Sequence, residues 1–289
     1  MWRREVTAFS GAARVAGVVG APVRQSLSPL IHNAWIAAAG LDAVYVPFSP
    51  EADKFDAFIS GLRRGSMAGL NVTLPFKQAA LALADRADEP ARAAGAANLL
   101  LFDDAGAVEA RNTDGIGLLY ALDLQAPGWA AGSGVVVVLG AGGAARGAVA
   151  ALVVAGFTVR IVNRTRERAV MLAQTFDGAD AMEGERLADV FAEAFLVINA
   201  TSAGLEGRGD LDPPLQALPP QAVVMDMVYR PLCTPLLRQA QARGLQTVDG
   251  LAMLVGQAIP SFQALFGRPV PPQVDVRALA LAALEEGGQ

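Results

Sequence analysis

One cysteine, Cys233, and one histidine, His32, stand in 289 residues. A single cysteine excludes an internal disulfide framework, and with no Cys/His cluster no zinc site or other metal chemistry is expected. Charge is scarce as well: 18% of residues are charged, and 28 acidic against 23 basic side chains leave a net charge of −5. Such a chain has no positive field to draw in nucleic acid. No long polar tract suggests disorder, and no apolar run follows Met1-Trp2-Arg3-Arg4-Glu5 to make a secretory leader. A cytoplasmic protein that engages neither nucleic acid nor membrane is the expectation. What is present is apolar: 53% of the chain is hydrophobic, and its length suits two cores of about 100 to 150 residues each.

The most informative stretch runs from Val135 to Thr165. Val135-Val136-Val137-Val138-Leu139 reads as a buried strand, Gly140-Ala141-Gly142-Gly143-Ala144-Ala145 as a tight turn into a helix, and Val159-Arg160-Ile161-Val162 as a second strand. In a dinucleotide site the first glycine permits the turn, the second lets the backbone approach a pyrophosphate, and a third small residue, here Ala145, lets helix and strand pack closely. The helix N-terminus then offers free N–H groups to the phosphates. A site for NAD places an acidic residue at the end of the second strand, on the ribose 2′-hydroxyl. This chain has Asn163-Arg164-Thr165 there, which favours a 2′-phosphate and therefore NADP. Arg160, Arg164, Arg166 and Arg168 form one basic patch suited to it. The competing reading is a membrane span, because Val135 to Gly156 is 22 residues long with one charge, Arg146. A mid-span charge costs about 3 kcal/mol on insertion scales, and the glycines cluster where a strand would turn.

Upstream, apolar runs of strand length at Val15 to Gly20, Val44 to Phe48, Met67 to Val72 and Ala97 to Phe102 alternate with helical periodicity, which predicts a first α/β unit with a mostly parallel sheet. Asp103-Asp104-Ala105-Gly106 turns the chain toward a returning strand. Ser28-Pro29 reads as an N-cap and first-turn pair for a helix that Gly40 stops, and Phe55, Phe58, Ile59 and Leu62 mark the next helix. Asp114-Gly115 opens a helix that runs to about Leu124 and carries the domain boundary, a position suited to a hinge. Further strands are expected at Phe195 to Asn199, Ala222 to Met227 and Gln246 to Asp249, with a helix at Pro235 to Arg243. The closing helices, Leu251 to Phe266 and Val274 to Glu285, pack back on the first domain. The domain assignment is thus 1–114 with 251–289, and 115–250.

Ser26-Leu27-Ser28-Pro29, Asn71-Val72-Thr73-Leu74-Pro75-Phe76-Lys77, Ala97-Asn98, Asn112-Thr113-Asp114-Gly115, the glycine turn with Asn163-Arg164-Thr165, and Gly250 to Gln257 occur in that order. Together they resemble the shikimate dehydrogenases, which reduce 3-dehydroshikimate with NADPH in aromatic amino-acid biosynthesis. The resemblance spans nearly the whole chain. It implies an N-terminal α/β substrate domain, a Rossmann-type NADP-binding domain and a cleft between them. It further implies that Ser26 and Ser28 hold the substrate carboxylate, that Asn71, Thr73, Asn98 and Gln257 hold ring hydroxyls, and that Tyr229 lies near the substrate. Lys77 and Asp114 are implied as the catalytic pair, both also touching substrate. Hydride delivery to a ketone carbon needs a proton at oxygen, which a lysine supplies, while a nearby carboxylate orients the ammonium and favours its charged form. On residues alone, Lys77 reads as a solvated side chain at a helix start, Asp114 as a helix N-cap, and the amides and threonine as ordinary turn residues.

For the cofactor, Gly140, Gly142, Gly143 and Ala144 resemble the family's pyrophosphate turn, and Asn163, Arg164, Thr165 and Arg168 its 2′-phosphate clamp. Thr201, Met227 and Gly250 match positions beside the nicotinamide. The chain departs from the family at Leu99, where threonine usually follows the asparagine, and at Ala252, where a second glycine is usual. Three functions are compatible with this pattern: an NADP-dependent shikimate dehydrogenase, a quinate/shikimate or aminoshikimate dehydrogenase that uses either NAD or NADP, and a non-catalytic NADPH-binding module. A monomer and a homodimer are equally compatible.

Overall fold

The computed structural model describes residues 9–183, 186–205, 209 and 211–286; the leader reading at residues 1–5 lies outside them. Six short strands build a first sheet: β1 (Arg14–Val19), β2 (Ala43–Phe48), β3 (Met67–Val72), β4 (Arg86–Ala87), β5 (Leu99–Phe102) and β6 (Val108–Arg111), in the order β2-β1-β3-β5-β6-β4. The expected parallel character holds for β2-β1-β3 and for β4 on β6. Strand β5 makes both of its pairings, with β3 and with β6, antiparallel, so this sheet is mixed. Asp103 closes the hairpin: its carboxylate accepts from Ala107 N–H at 2.7 Å, and Gly106 turns at φ +87.

The second sheet comprises β7 (Val135–Leu139), β8 (Val159–Val162), β9 (Ala179–Met182), β10 (Ala194–Asn199), β11 (Val223–Asp226) and β12 (Gln246–Val248), all parallel, in the order β12-β11-β10-β7-β8-β9. Every residue of β7 and β10 is buried, as expected where helices cover both faces of a parallel sheet. Strand order reverses between β7 and β10, and at that switch point a crevice opens beyond the carboxyl ends of the strands. The run from Val135 to Gly156 is therefore strand, turn and helix. No helix among the described residues is long and apolar enough to cross a membrane.

The helices are α1 (Ser28–Ala38), α2 (Phe55–Leu62), α3 (Lys77–Ala82), α4 (Glu89–Ala94), α5 (Asp114–Gln125), α6 (Gly143–Val154), α7 (Arg166–Ala173), α8 (Leu187–Ala192), α9 (Pro235–Ala242), α10 (Gly250–Phe266) and α11 (Val276–Glu286). Two of the expected caps differ. Leu27 is the N-cap of α1 and Ser28 its first helical residue, with no side-chain cap bond; likewise Thr113, not Asp114, precedes α5. Both side chains are engaged in the cleft instead.

Two helices join the cores. The first turn of α10 puts Ala252 and Met253 into the core of the second sheet with Leu118, Leu122 and Val136, whereas Val255, Phe262 and Leu265 pack on the first sheet with Ile31, Trp35 and Leu99. Helix α5 crosses α10 closely because glycines meet there. A β-carbon at Gly117 would lie 2.6 Å from the Met253 carbonyl, and one at Gly256 2.6 Å from the Tyr120 ring. This approach carries Gln257 to the end of β5.

Candidate active site

A cavity of about 610 Å³ lies between the carboxyl ends of β1 and β3 on one side and those of β7, β10 and β11 on the other. All nine expected substrate residues line it: Ser26, Ser28, Asn71, Thr73, Lys77, Asn98, Asp114, Tyr229 and Gln257. Lys77 begins α3 after the turn that follows β3, and Asp114 begins α5 after β6, so two strand ends deliver the pair. Lys77 Nζ stands 2.5 Å from Asp114 Oδ2, with the lysine 9% and the aspartate 4% exposed. The reading of Lys77 as a solvated residue is thus wrong.

The other oxygen of Asp114 accepts from Asn98 Nδ2 at 2.9 Å, and the Asp114 backbone N–H donates to Asn112 Oδ1. The pair rests on α6: a β-carbon at Gly147 would lie 2.9 Å from that of Asp114, and one at Gly143 3.1 Å from the Lys77 chain. An added carbon at Gly147 would force Asp114 to shift, and one at Gly143 would press on the Lys77 chain.

Beside the pair runs a buried chain of neutral groups. Asn98 Oδ1 accepts from Thr113 N–H at 2.8 Å, Thr113 Oγ1 meets Ser261 Oγ at 3.3 Å, and Asn71 Nδ2 donates to Ser261 Oγ at 3.0 Å. Gln257 Nε2 donates to the Leu254 carbonyl, which turns its oxygen toward Asn98. Thr113 thereby supports Asn98 from the neighbouring strand end, in a chain where leucine replaces the family's usual threonine at 99. Leu99 points into the core instead.

Tyr45, fully buried on β2, donates to Asn71 Oδ1 at 2.8 Å. Burial pushes its phenol well above the usual range. Tyr229, which follows β11, packs in a cluster with Leu27 of the first unit; burial raises its phenol, and the Leu27 backbone opposes the rise.

Gly140, Gly142, Gly143, Ala144, Asn163, Thr201, Met227 and Gly250 line the opposite wall. Gly140 sits at φ +116, a conformation strained for any residue with a β-carbon. Gly142 caps α6, and nothing lies within 4 Å of where its β-carbon would be, so the space before the helix N-terminus is open to an anion. Ala145 is fully buried against the sheet. A β-carbon at Gly250 would lie 2.3 Å from the Met227 carbonyl. Ala252 tucks into the core beside it and donates its N–H to Asp249.

Beneath this wall the buried Asp226 accepts from Asn199 Nδ2, Val228 N–H and Thr234 Oγ1. Asn199 in turn holds Thr201 through its backbone N–H and hydroxyl. Burial raises the Asp226 carboxyl, and these bonds oppose the rise.

The cluster of four arginines does not form. Arg160 lies near the amino ends of the strands, 2.7 Å from Glu193, and Arg166 pairs with Glu183 at 3.5 Å. Arg164, Thr165 and Arg168 stand exposed at the end of β8 and the start of α7, outside the cavity wall. Neither Arg164 nor Arg168 has an ion-pair partner among the described residues. A cradle of open glycines, a helix N-terminus and two exposed guanidinium groups fits a dinucleotide with a 2′-phosphate.

Sequence reasoning missed Tyr45, which alternation reads as strand core, and Asn199 and Asp226, whose only signal is polarity at the end of buried strands beside the switch point. It also missed Arg230, a cavity-lining residue with no motif to mark it.

The fold and site define a two-sheet α/β protein of the dinucleotide-binding class, with a buried lysine–carboxylate pair in the cleft. Residues 18–100 match the family described as shikimate dehydrogenase substrate binding domain, and residues 130–206 match shikimate / quinate 5-dehydrogenase. A relative from Caulobacter vibrioides, named shikimate dehydrogenase (NADP(+)), is 57% identical over 281 residues, covering 96% of this chain and 99% of its own. The shikimate 5-dehydrogenase of Thermus thermophilus, solved with NADP(H) and shikimate, superposes with a TM-score of 0.83 at 35% identity, covering 93% of this chain and 99% of its own. The quinate dehydrogenase of Corynebacterium glutamicum, solved with NAD, does so with 0.85 at 28% identity and the same coverage. The chain belongs to the shikimate dehydrogenase family.

Proposed function

We propose that this protein interconverts 3-dehydroshikimate and shikimate with NADPH/NADP, as a step in aromatic amino-acid biosynthesis. The observation that carries the reading is the buried Lys77–Asp114 pair, set in a row of neutral amides and hydroxyls and facing a glycine-rich cradle across one cavity. Residues 1–114 with 251–289 serve as the substrate domain and 115–250 as the cofactor domain. The grouping of Leu118 and Leu122 with the core of the second sheet supports the boundary at the start of α5.

Asn71, Thr73, Asn98 and Gln257 bind the ring hydroxyls, and Ser26 and Ser28 the carboxylate. Gly140, Gly142, Gly143 and Ala144 seat the pyrophosphate, Asn163, Arg164, Thr165 and Arg168 the 2′-phosphate, and Thr201, Met227 and Gly250 flank the nicotinamide. Bound NADPH supplies the hydride. Lys77 Nζ donates its proton to the carbonyl oxygen as negative charge develops there, and in the reverse direction accepts it from the hydroxyl. Asp114 aims the ammonium with one oxygen and, through Asn98 on the other, is itself held against rotation. Tyr229 closes the substrate end of the cleft. A cytoplasmic monomer or homodimer accords with this reading.

Shikimate-dependent reduction of NADP, followed at 340 nm in mildly alkaline buffer, is the direct test, and no absorbance change would leave a silent NADPH-binding module. Comparing kcat/KM for NADP and NAD, and for shikimate and quinate, separates this reading from the quinate-type alternative. Lys77→Met is expected to lower kcat by about 10²- to 10⁴-fold with little change in KM, the signature of a group acting in the transition state; unchanged turnover removes Lys77 from the mechanism.

A further inference from the structure

We propose that Asp226 is a fixed negative charge set behind the cofactor wall, where it favours the oxidised, cationic nicotinamide over the reduced, neutral ring. The inference rests on the proposed reading in which Thr201, Met227 and Gly250 flank that ring, and it adds a residue outside the cavity lining. Asp226 ends β11, is fully buried, and stands one residue before Met227 of the wall. It has no ion-pair partner among the described residues. A buried carboxylate without a cation is costly to keep, and here three neutral donors converge to keep it.

Hydrogen-bond accounting assigns the ionised form. The Val228 N–H can only donate, and it meets Asp226 Oδ1 at 3.0 Å. Asn199 Oδ1 accepts from the Thr201 N–H and hydroxyl at 3.0 and 2.7 Å, so Nδ2 is the group that meets Asp226 Oδ1 at 2.9 Å. Thr234 Oγ1 accepts from the Leu237 N–H as the cap of α9 and gives its own hydrogen to Asp226 Oδ2 at 2.7 Å. A proton on the carboxyl would turn that hydroxyl into an acceptor and leave its hydrogen without a partner in a fully buried place.

The same bonds carry the charge toward the cleft. Asn199 points a hydrogen at Asp226 and its oxygen at Thr201, whose hydroxyl hydrogen is thereby drawn toward Asn199. Donors aligned in this way pass on a negative potential to Thr201, which lines the cavity. As hydride leaves the ring, positive charge develops on it, and a buried charge already in place stabilises that state without reorganising.

Calorimetric titration with NADP⁺ and with NADPH tests this without turnover. Asp226→Asn keeps the size, retains an oxygen for Asn199 and Val228 and turns an amide toward Thr234, so the charge goes and the shape stays. It is expected to weaken NADP⁺ binding about five- to twentyfold, the range for one unit charge acting across a buried wall at an effective dielectric of about 20, with NADPH moving by less than about twofold. Thr201→Val, placed in the cleft rather than the core, breaks the relay at its outer end and should lower the same preference about two- to fourfold. A ratio of NADP⁺ to NADPH affinity unchanged in either variant overturns the proposal. An equal loss for both forms overturns it as well, since Asp226 would then only shape the wall. Failure of the unaltered protein to bind NADP⁺ or NADPH would instead overturn the cofactor reading on which the inference rests.

Discussion

Both ring nitrogens of His32 are buried without a hydrogen-bond partner, and the imidazole lies flat on Tyr45, with centroids 4.2 Å apart and planes at 3°. Burial lowers its pKa from 6.5 to about 3. The unfolded chain therefore binds a proton between those values that the folded chain does not. This share of stability is fully present above pH 6.5 and is lost as pH falls toward 3, at about 1.4 kcal/mol per pH unit. His32→Phe keeps the stack and removes the titration, so urea unfolding between pH 6.5 and 5 should show a flatter loss of stability in the variant. An equal slope would place the acid sensitivity elsewhere. The sequence marks His32 as the single histidine but not as an unpartnered one. Likewise Lys77 and Asp114 emerge from the letters only by resemblance, since nothing in a lysine at a helix start says that α6 and α5 will close over it. Ser28 shows the converse: Ser-Pro at a helix start suggests a cap, but the serine is the first helical residue, no side-chain bond caps the helix, and Ser28 lines the cleft between the two sheets.

Helix α6 does two jobs with two faces. Its N-terminus faces the open cradle at Gly142, and its flank at Gly143 and Gly147 is the seat of Lys77 and Asp114. Gly147→Ala gains up to about 1 kcal/mol of helix propensity, but the added carbon at 2.9 Å from the Asp114 β-carbon costs about 1–3 kcal/mol of overpacking. The expected result is a lower kcat and a lower Tm with the affinity for NADP retained; a variant with unchanged kcat would show that α6 does not position the pair. The element itself was legible, because four consecutive valines, a glycine turn and a small-residue helix admit few readings. The second glycine pair at Gly117 and Gly256 was not, because each is needed by a helix distant in sequence.

At the scale of the whole molecule the two cores are tied where α5, α10 and α11 meet. Asp249 caps α10, accepts from Gln125 at the end of α5, and pairs with Arg277 at 2.6 and 3.1 Å. Burial raises the Asp249 carboxyl, but the bonds from Arg277, Gln125 and Ala252 outweigh it, and the pKa lies below the ordinary value. With the folded value depressed, this contribution is present above the usual carboxylate range and is lost as pH falls through the folded pKa. Arg277→Ala should cost about 1–2 kcal/mol near neutrality, less than a fully buried pair because the arginine is partly solvated. The gap to the unaltered protein in urea unfolding should narrow in acid, and a gap independent of pH would assign the loss to packing.

Local chemistry was enough to determine the strand, glycine turn and helix of the second unit, the choice of NADP and most strand positions, because these depend on residues within about thirty positions of one another, as in a single strand–helix–strand unit. Only the tertiary structure decided that the first sheet is mixed, that Arg160 leaves the basic cluster for Glu193, that Lys77 is buried against Asp114, and that Arg230 stands unpaired in the same cavity. Each of these depends on which distant groups are brought close enough to exclude water and compete for a charge or a hydrogen bond, and closing α5 and α10 over the two sheets settles that competition.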